Sequence, residues 1–393
     1  MGISVGIVGA GAFSRGFIPL FQAHPSVTGV ALCDLDATKL SAACAEFGIS
    51  ESYPSLEALC ASHVDAVAIF TQNWLHGPQA LQALRTGKHV YSAVPAGITV
   101  EEVRALVRAV EQTGLTYMLG ETSYYYPAVI YCRQRHAAGD FGRIVYGEAD
   151  YYHDWDHGLY DVMRWRGGER WRETAGSSPM HYPTHSVSQI VSVTSAHMTH
   201  VSCQGFTDHA DDGLYGVGAN RWDNSFSNQT ALFRMSDGSC SRVNEFRRVG
   251  HPETVRMNMV GTECSFEVNP AGALWLTKQR AGAVRLDDLF SLADRATDRG
   301  RYVGLSSVHD VRRLPSEYAG LASGHEGSHA FLVDDFMRAC VEYTLPPNHV
   351  WAAARYVLPG LLAHESALRG GELLAVPDLG DPPTGLARTR GVV

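Results

Sequence analysis

The stretch "ISVGIVGAGAFSRGF" at residues 3–17 constrains this chain more than any other. A short apolar, β-rich run (residues 3–8) meets a glycine cluster, and a helical apolar pattern follows at once. That order is what a dinucleotide-binding turn requires: a tight bend, close approach of backbone to a pyrophosphate, and a helix start to receive its charge. Gly9 and Gly11 supply the first two glycines, and Ala12 and Phe13 lead into the helix. Ser14 stands where the third glycine would be, a small residue that still permits close helix–strand packing.

The next strand pattern, "VTGVALCDLD", ends in Asp34, about 20 residues on, at the spacing of a carboxylate that holds a ribose hydroxyl. Leu35 and Asp36 follow it, so no cation is at hand for a 2′-phosphate, and NAD is favoured over NADP. The alternation then continues. "DAVAIFT", "HVYSAV" and "LTYMLGE" read as strands, and "WLHGPQALQALRTG" and "TVEEVRALVRAVEQTG" as helices. Gly87 is the expected C-cap of the first helix, and Thr99 with Glu102 the expected capping box of the second. Strands separated by single helices specify a doubly wound parallel sheet with ligands at the strand C-terminal ends. Thr71, Asn73, His76, Pro95 and Glu121 fall at or just beyond those ends.

At 393 residues the chain is long enough for two domains. We place a nucleotide-binding domain at 1–122 and a substrate and oligomerisation domain at 123–393. A formal net charge of −9 argues against a nucleic-acid partner and against adhesion to an anionic membrane. The eight cysteines show no metal-like spacing and read as free thiols of a reducing cytoplasm. The start, "MGISVGIVGAG", has neither the basic region nor the apolar length of a signal peptide or membrane span.

Three segments, "GIVGAGAFS", "TQNWLHGPQALQALRTGKHV" and "PAGITVEEVRALV", resemble the Gfo/Idh/MocA family, and "GDFGRIVYGEADYY" resembles the start of its second domain. The resemblance implies an NAD-binding Rossmann domain, a C-terminal α/β domain on an open, largely antiparallel sheet, and a homo-oligomer. Dehydrogenases of the family usually carry Glu-Lys-Pro where this chain has Ala93-Val94-Pro95, and Val94 cannot replace the lysine in moving a proton. "VPAG", "GETSYYY", "DYYHD" and "YPTHS" are similar instead to the branch of NAD-dependent glycoside hydrolases related to α-N-acetylgalactosaminidases. That likeness implies Glu121, Tyr151 and His185 as catalytic residues; His153, His181 and Tyr182, in the same segments, are expected to bind substrate. Ser186 departs from it, since the group usually has glycine there.

For that branch the implied chemistry on a carbohydrate is redox-neutral. A hydride leaves ring carbon C3, the ketone acidifies the C2 proton, the aglycone leaves C1 by elimination, water adds and the hydride returns. Two alternatives stand beside it: a sugar or cyclitol dehydrogenase with net NADH formation, and a nucleotide-binding sensor without turnover.

Taken on their own, the residues of "MHYPTHS" leave more than one reading open. Pro183 suits an early helical position, which puts His185 in a first turn where the helix dipole disfavours its protonated form. A largely neutral imidazole suits a general base. A metal site completed by His153, Asp154 and His157 is a second reading, and a pair of structural histidines a third. The segment "DVMRWRGGERWRETAG" (161–176) reads as a surface loop, either binding an anionic sugar through its arginines or merely anchored by its tryptophans. Residues 286–322 read as a long loop or lid, and "NQTALFRMSDGSCSRVNEFRR" as two antiparallel strands around an Asp-Gly turn.

Overall fold

A computed structural model of the chain describes residues 2–269, 272–279 and 282–385. Two compact units are present, and they are interleaved in sequence: among the described residues one comprises 2–127, 289–354 and 379–385, the other 128–288 and 355–378. The expected division was a single cut after residue 122. The later segment joins the first unit because its apolar side chains pack there: Phe336 lies 6.5 Å from Phe21 and 5.7 Å from Tyr91, ring centre to ring centre.

The first unit is the expected doubly wound parallel sheet. Its strands are β1 (Ile3–Val8), β2 (Val27–Cys33), β3 (Ser52–Tyr53), β4 (Ala66–Ile69), β5 (His89–Ser92) and β6 (Tyr117–Leu119). They pair in the order β3-β2-β1-β4-β5-β6, the strand reversal of a Rossmann fold. Nearly every side chain of β1 and β4 is buried, as expected of strands covered on both faces.

Local signals set the helices. The helix after the glycine turn is not continuous: α1 (Ala12–Arg15) stops at Gly16, and α2 (Ile18–Ala23) starts again. Pro19 explains the break, because its ring cannot donate to, and clashes with, the carbonyl four residues back. The next helices are α3 (Ala37–Phe47), α4 (Leu56–Cys60), α5 (His76–Arg85) and α6 (Val100–Thr113). The Thr99 hydroxyl caps α6 by accepting from the Glu102 amide at 3.1 Å. Glu102 reaches back to the Ile98 amide at 2.8 Å, one residue beyond the usual capping-box donor. Thr86 caps α5, with Gly87 following at φ +84°.

In the second unit, α7 (Pro127–Ala137) leads to β7 (Ile144–Tyr152), and α8 (Tyr160–Gly167), α9 (Trp171–Ala175) and α10 (Thr184–Thr194) follow. The stretch 161–176 is therefore helical rather than a loop. Trp171 anchors it in a cluster with Trp155, Leu159, Leu214 and Tyr215, and Arg164 and Arg172 stack on the Trp171 ring. Strands β8 (Met198–Thr207), β9 (Phe226–Met235), β10 (Cys240–Phe246), β11 (Thr254–Gly261), β12 (Cys264–Asn269), β13 (Gly272–Thr277) and β14 (Val284–Arg285) come next.

The nine-stranded sheet runs β14-β13-β12-β11-β7-β10-β9-β8-β17, the last being Leu374–Ala375. It is antiparallel throughout except where β10 lies parallel to β7. The hairpin expected around the Asp-Gly turn is β9–β10, with Arg234 opposite Cys240.

The stretch 286–322 is structured as well, which corrects the expectation of a loop or lid. It holds α11 (Asp287–Phe290) and a hairpin of β15 (Ala293–Thr297) and β16 (Gly300–Leu305), followed by short turns. The buried Tyr302 of β16 explains this order, since its hydroxyl donates to the Pro315 carbonyl at 3.1 Å. Two long helices, α12 (Gly324–Glu342) and α13 (Val350–Leu368), follow.

Candidate functional site

The first unit carries the nucleotide cradle. Gly9 has φ +95°, and a Cβ there would lie 2.8 Å from the Phe70 carbonyl oxygen, so only glycine fits. Gly11 starts α1, and the buried Ser14 hydroxyl donates back to the Gly11 carbonyl at 2.9 Å. Asp34 ties the turn to the end of β2: its carboxylate accepts from the Ala10 amide and from the Asp36 amide, both at 2.8 Å. Phe13 packs edge-on against Phe17 and Phe70.

The residues at the next strand ends are braced by His76. Its Nδ1 lies 3.0 Å from the Pro95 carbonyl and its Nε2 3.0 Å from the Thr71 carbonyl, so this buried imidazole spans the ends of β4 and β5. Thr71 also donates its hydroxyl to Gln79, and Asn73 accepts from the Trp74 amide. A bare glycine turn beside an acidic strand end fits a dinucleotide, with Gly9, Gly11, Ala12, Phe13 and Ser14 as the cradle and Asp34 at its rim.

Glu121 also belongs to this unit, just beyond β6. It is fully buried, and one carboxylate oxygen accepts from the Ser123 amide at 3.0 Å and the Ser123 hydroxyl at 2.8 Å. Those donors favour a fixed acceptor over a mobile one.

The second unit brings together four of the residues singled out from the sequence. Tyr151 ends β7, with His153 two residues on; Tyr182 and His185 flank the start of α10. The Tyr151 oxygen is 3.0 Å from His153 Nδ1, the His185 ring stands 5.5 Å from Tyr151 in an edge-to-face contact, and Tyr182 lies 5.4 Å from His185. Pro183 is the N-cap of α10 rather than a helical residue, and His185 does sit in the first turn, 7% exposed.

Burial pushes the Tyr151 phenol well up, against the pull of the Arg247 guanidinium. His153 moves the other way, held down at about 4 first by burial and then by Arg247 and Arg166. At neutral pH the phenol is therefore protonated and donates to a neutral His153.

His181 does not join this group. Its ring meets His364 at 4.8 Å, burial with that neighbour holds it down at about 3, and its Nδ1 is buried with no hydrogen-bond partner among the described residues. Among the described residues no three His, Cys, Asp or Glu side chains converge as a metal site, so the set His153, Asp154 and His157 does not assemble with His181 and His185. Gly360 of α13 fixes this segment: a Cβ there would lie 2.2 Å from the Pro183 ring and 2.3 Å from the Met180 carbonyl.

Sequence reasoning missed Glu245 and Arg247. Glu245 stands beside Tyr151 in the register of β10 on β7, fully buried. It accepts from the Ser186 hydroxyl and, at 3.0 Å, from Arg247, whose guanidinium lies 4.8 Å from the Tyr151 ring centre. The signal was present in β10, where Ser241, Val243 and Glu245 alternate on one face and an acid breaks an otherwise uncharged series.

Comparison with known proteins agrees with this construction. Residues 3–121 match the Gfo/Idh/MocA family, described as an oxidoreductase family with an NAD-binding Rossmann fold. A glycosyl hydrolase family 109 protein of Shewanella amazonensis is 31% identical over 198 residues, 48% of this chain and 44% of the relative. Another, of Streptomyces niveus, is 26% identical over 96% of this chain and 77% of its own length. The chain thus spans less than half the length of the first of these relatives.

Among solved structures, a levoglucosan dehydrogenase in complex with NADH and levoglucosan superposes with a TM-score of 0.74 at 18% identity, over 96% of this chain and 100% of that one. A myo-inositol 2-dehydrogenase from Lactobacillus plantarum gives 0.70 at 18% identity, over the same shares. At that identity the likeness is one of fold. No helix among the described residues is long and apolar enough to cross a membrane.

Proposed function

Residues 3–121 match the Gfo/Idh/MocA oxidoreductase family, and on that premise we propose that the chain is an NAD-dependent, redox-neutral glycosidase. The observation that carries the proposal is the pairing, in the second unit, of a protonated Tyr151 with a His185 set in the first turn of α10. The glycosyl hydrolase relatives support the same reading, and so does Val94, which leaves the family's usual lysine position without a proton carrier.

Gly9, Gly11, Ala12, Phe13, Ser14 and Asp34 hold the dinucleotide, and His76 keeps the Thr71, Asn73 and Pro95 segments in place around it. Bound NAD supplies a reversible hydride acceptor, so no net oxidation accumulates. His185, in the first turn of α10, is placed to accept a proton from a sugar carbon or hydroxyl. Tyr151, backed by His153, donates a proton to the departing aglycone oxygen and recovers it from the incoming water. Glu121, its carboxylate oriented by Ser123, is the fixed acceptor that the first unit offers. Tyr182 offers an aromatic face to the sugar, and His181 supports that wall from behind through its packing on His364.

The proposal extends to a homo-oligomer, which light scattering of the purified protein would establish or refute, and to a cytoplasmic location, which fractionation of the source cells would test. The test of function is turnover of a panel of aryl glycosides with sub-stoichiometric NAD⁺. Release of many equivalents of aglycone per NAD⁺, with no rise in NADH absorbance, supports the glycosidase. Stoichiometric NADH with the glycosidic bond intact would assign a net sugar or cyclitol dehydrogenase instead.

A further inference from the structure

Resting on that reading of Tyr151 and His185, we infer that Glu245 is a positioning residue, joined through Ser186 to the helix turn that carries His185 and through Arg247 to the face of Tyr151. One buried carboxylate thereby spans the two proton-handling groups. Its Oε1 accepts from the Ser186 hydroxyl, and Ser186 follows His185 in the first turn of α10. Its Oε2 accepts from Arg247 Nη2 at 3.0 Å. Arg247 in turn donates to the Phe246 carbonyl at 3.0 Å and the Tyr151 carbonyl at 3.4 Å, which holds its guanidinium over the Tyr151 ring.

The groups that face Glu245 are few. Tyr151 flanks it from β7 and Gln229 from β9, Ser186 and His185 approach from α10, and Arg247 lies on its own strand. Tyr182 and Glu253 bear on Tyr151 itself. An isolated carboxylate this deep would be neutral; Arg247 and the Ser186 hydroxyl are what make an ionised form accessible. Burial still holds the carboxyl up at about 7, with Arg247, Ser186 and His185 pulling it down.

The charge on Glu245 therefore changes near neutrality, and both neighbours sense it. When the carboxyl is ionised it cancels the Arg247 charge under Tyr151 and fixes the Ser186 hydroxyl as donor. When it is protonated, Tyr151 feels Arg247 alone and the Ser186 bond weakens.

The test is a pH titration of the whole protein followed by NMR, reading the Tyr151 ring signal (assigned by its loss in Tyr151→Phe) and the Ser186 backbone amide. The expected result is one shared midpoint near neutral pH in both signals, abolished in Glu245→Gln and moved to higher pH in Ser186→Ala. A shared midpoint that survives Glu245→Gln overturns the inference. Should Glu245→Gln fail to fold, Ser186→Ala decides alone: an unmoved midpoint overturns it.

In turnover, Glu245→Gln lowers kcat on the order of tenfold, the effect of about one unit of pKa mismatch, with KM nearly unchanged. A rise in KM with kcat intact contradicts a positioning role. Wild-type protein inert on every glycoside sinks the glycosidase reading and leaves the NMR result to judge the link.

Discussion

Tyr151 and Glu245 occupy opposed positions of β7 and β10, the one parallel strand pair of the nine-stranded sheet among the described residues. Opposed residues of such a pair project to the same face, and α10 packs on that face with His185 in its first turn. Sheet register and helix start thus deliver a phenol, an imidazole and a buried carboxyl to one place.

Replacing His185 with Gln, or Tyr151 with Phe, should each lower kcat by about 10²–10⁴-fold, the usual weight of a general acid or base. NAD affinity, measured by quenching of protein fluorescence, should stay within about threefold of wild type, a difference of well under 1 kcal/mol. Equal loss of cofactor binding would show instead that these side chains hold the cofactor.

Asp34→Ala should weaken NAD binding by roughly 10- to 100-fold, since hydrogen bonds to a charged group contribute about 1.5–3 kcal/mol. Two effects add here, because Asp34 also anchors the glycine turn through the Ala10 amide. The same titration, run with NADP⁺, should show no compensating gain unless a cation is supplied at position 35 or 36.

Acid should destabilise the second unit through its buried histidines. His181 titrates at about 3 and His364 at about 4 when folded, both below the ordinary histidine value of 6.5. The unfolded chain therefore binds more protons between those values, and stability is full above pH 6.5 and falls as pH drops toward 3. Chemical denaturation at two pH values should show His181→Gln losing less than wild type on acidification, by on the order of 1 kcal/mol per pH unit. Identical slopes would mean that His181 is protonated in the folded state.

Gly360→Ala should cost about 1–3 kcal/mol of stability through overpacking. Its methyl group would press on Pro183 and the Met180 carbonyl, and so displace the turn that delivers His185. A fall in kcat larger than the loss in thermal midpoint explains would confirm that α13 sets the position of the histidine. Unchanged kcat in a destabilised protein would separate the two.

Local signals carried the first unit. The glycine turn, the strand–helix alternation and the Thr99 cap are all short-range features, and each appears where the residues place it. The break between α1 and α2 was legible too, in Pro19, but was overridden by the apolar pattern around it. What the residues did not reveal is long-range. The attachment of 289–354 to the first unit depends on aromatic packing between segments more than 200 residues apart.

The same limit applied to the site. Tyr151, Tyr182 and His185 could be named from short motifs, whereas Glu245 acquires meaning only when β10 pairs with β7, almost a hundred residues away. His181 shows the reverse error. Sequence spacing grouped it with His185, but it lies in the short turn Pro179–His181 before α10 and packs against His364.

The central claim is that the glycosidic bond is broken through transient oxidation and loss of the C2 proton. The most direct measurement is NMR of an aryl glycoside turned over in D₂O with catalytic NAD⁺. Aglycone release should be accompanied by deuterium at C2 of the product sugar and no net NADH. Aglycone release with the C2 proton retained would contradict it.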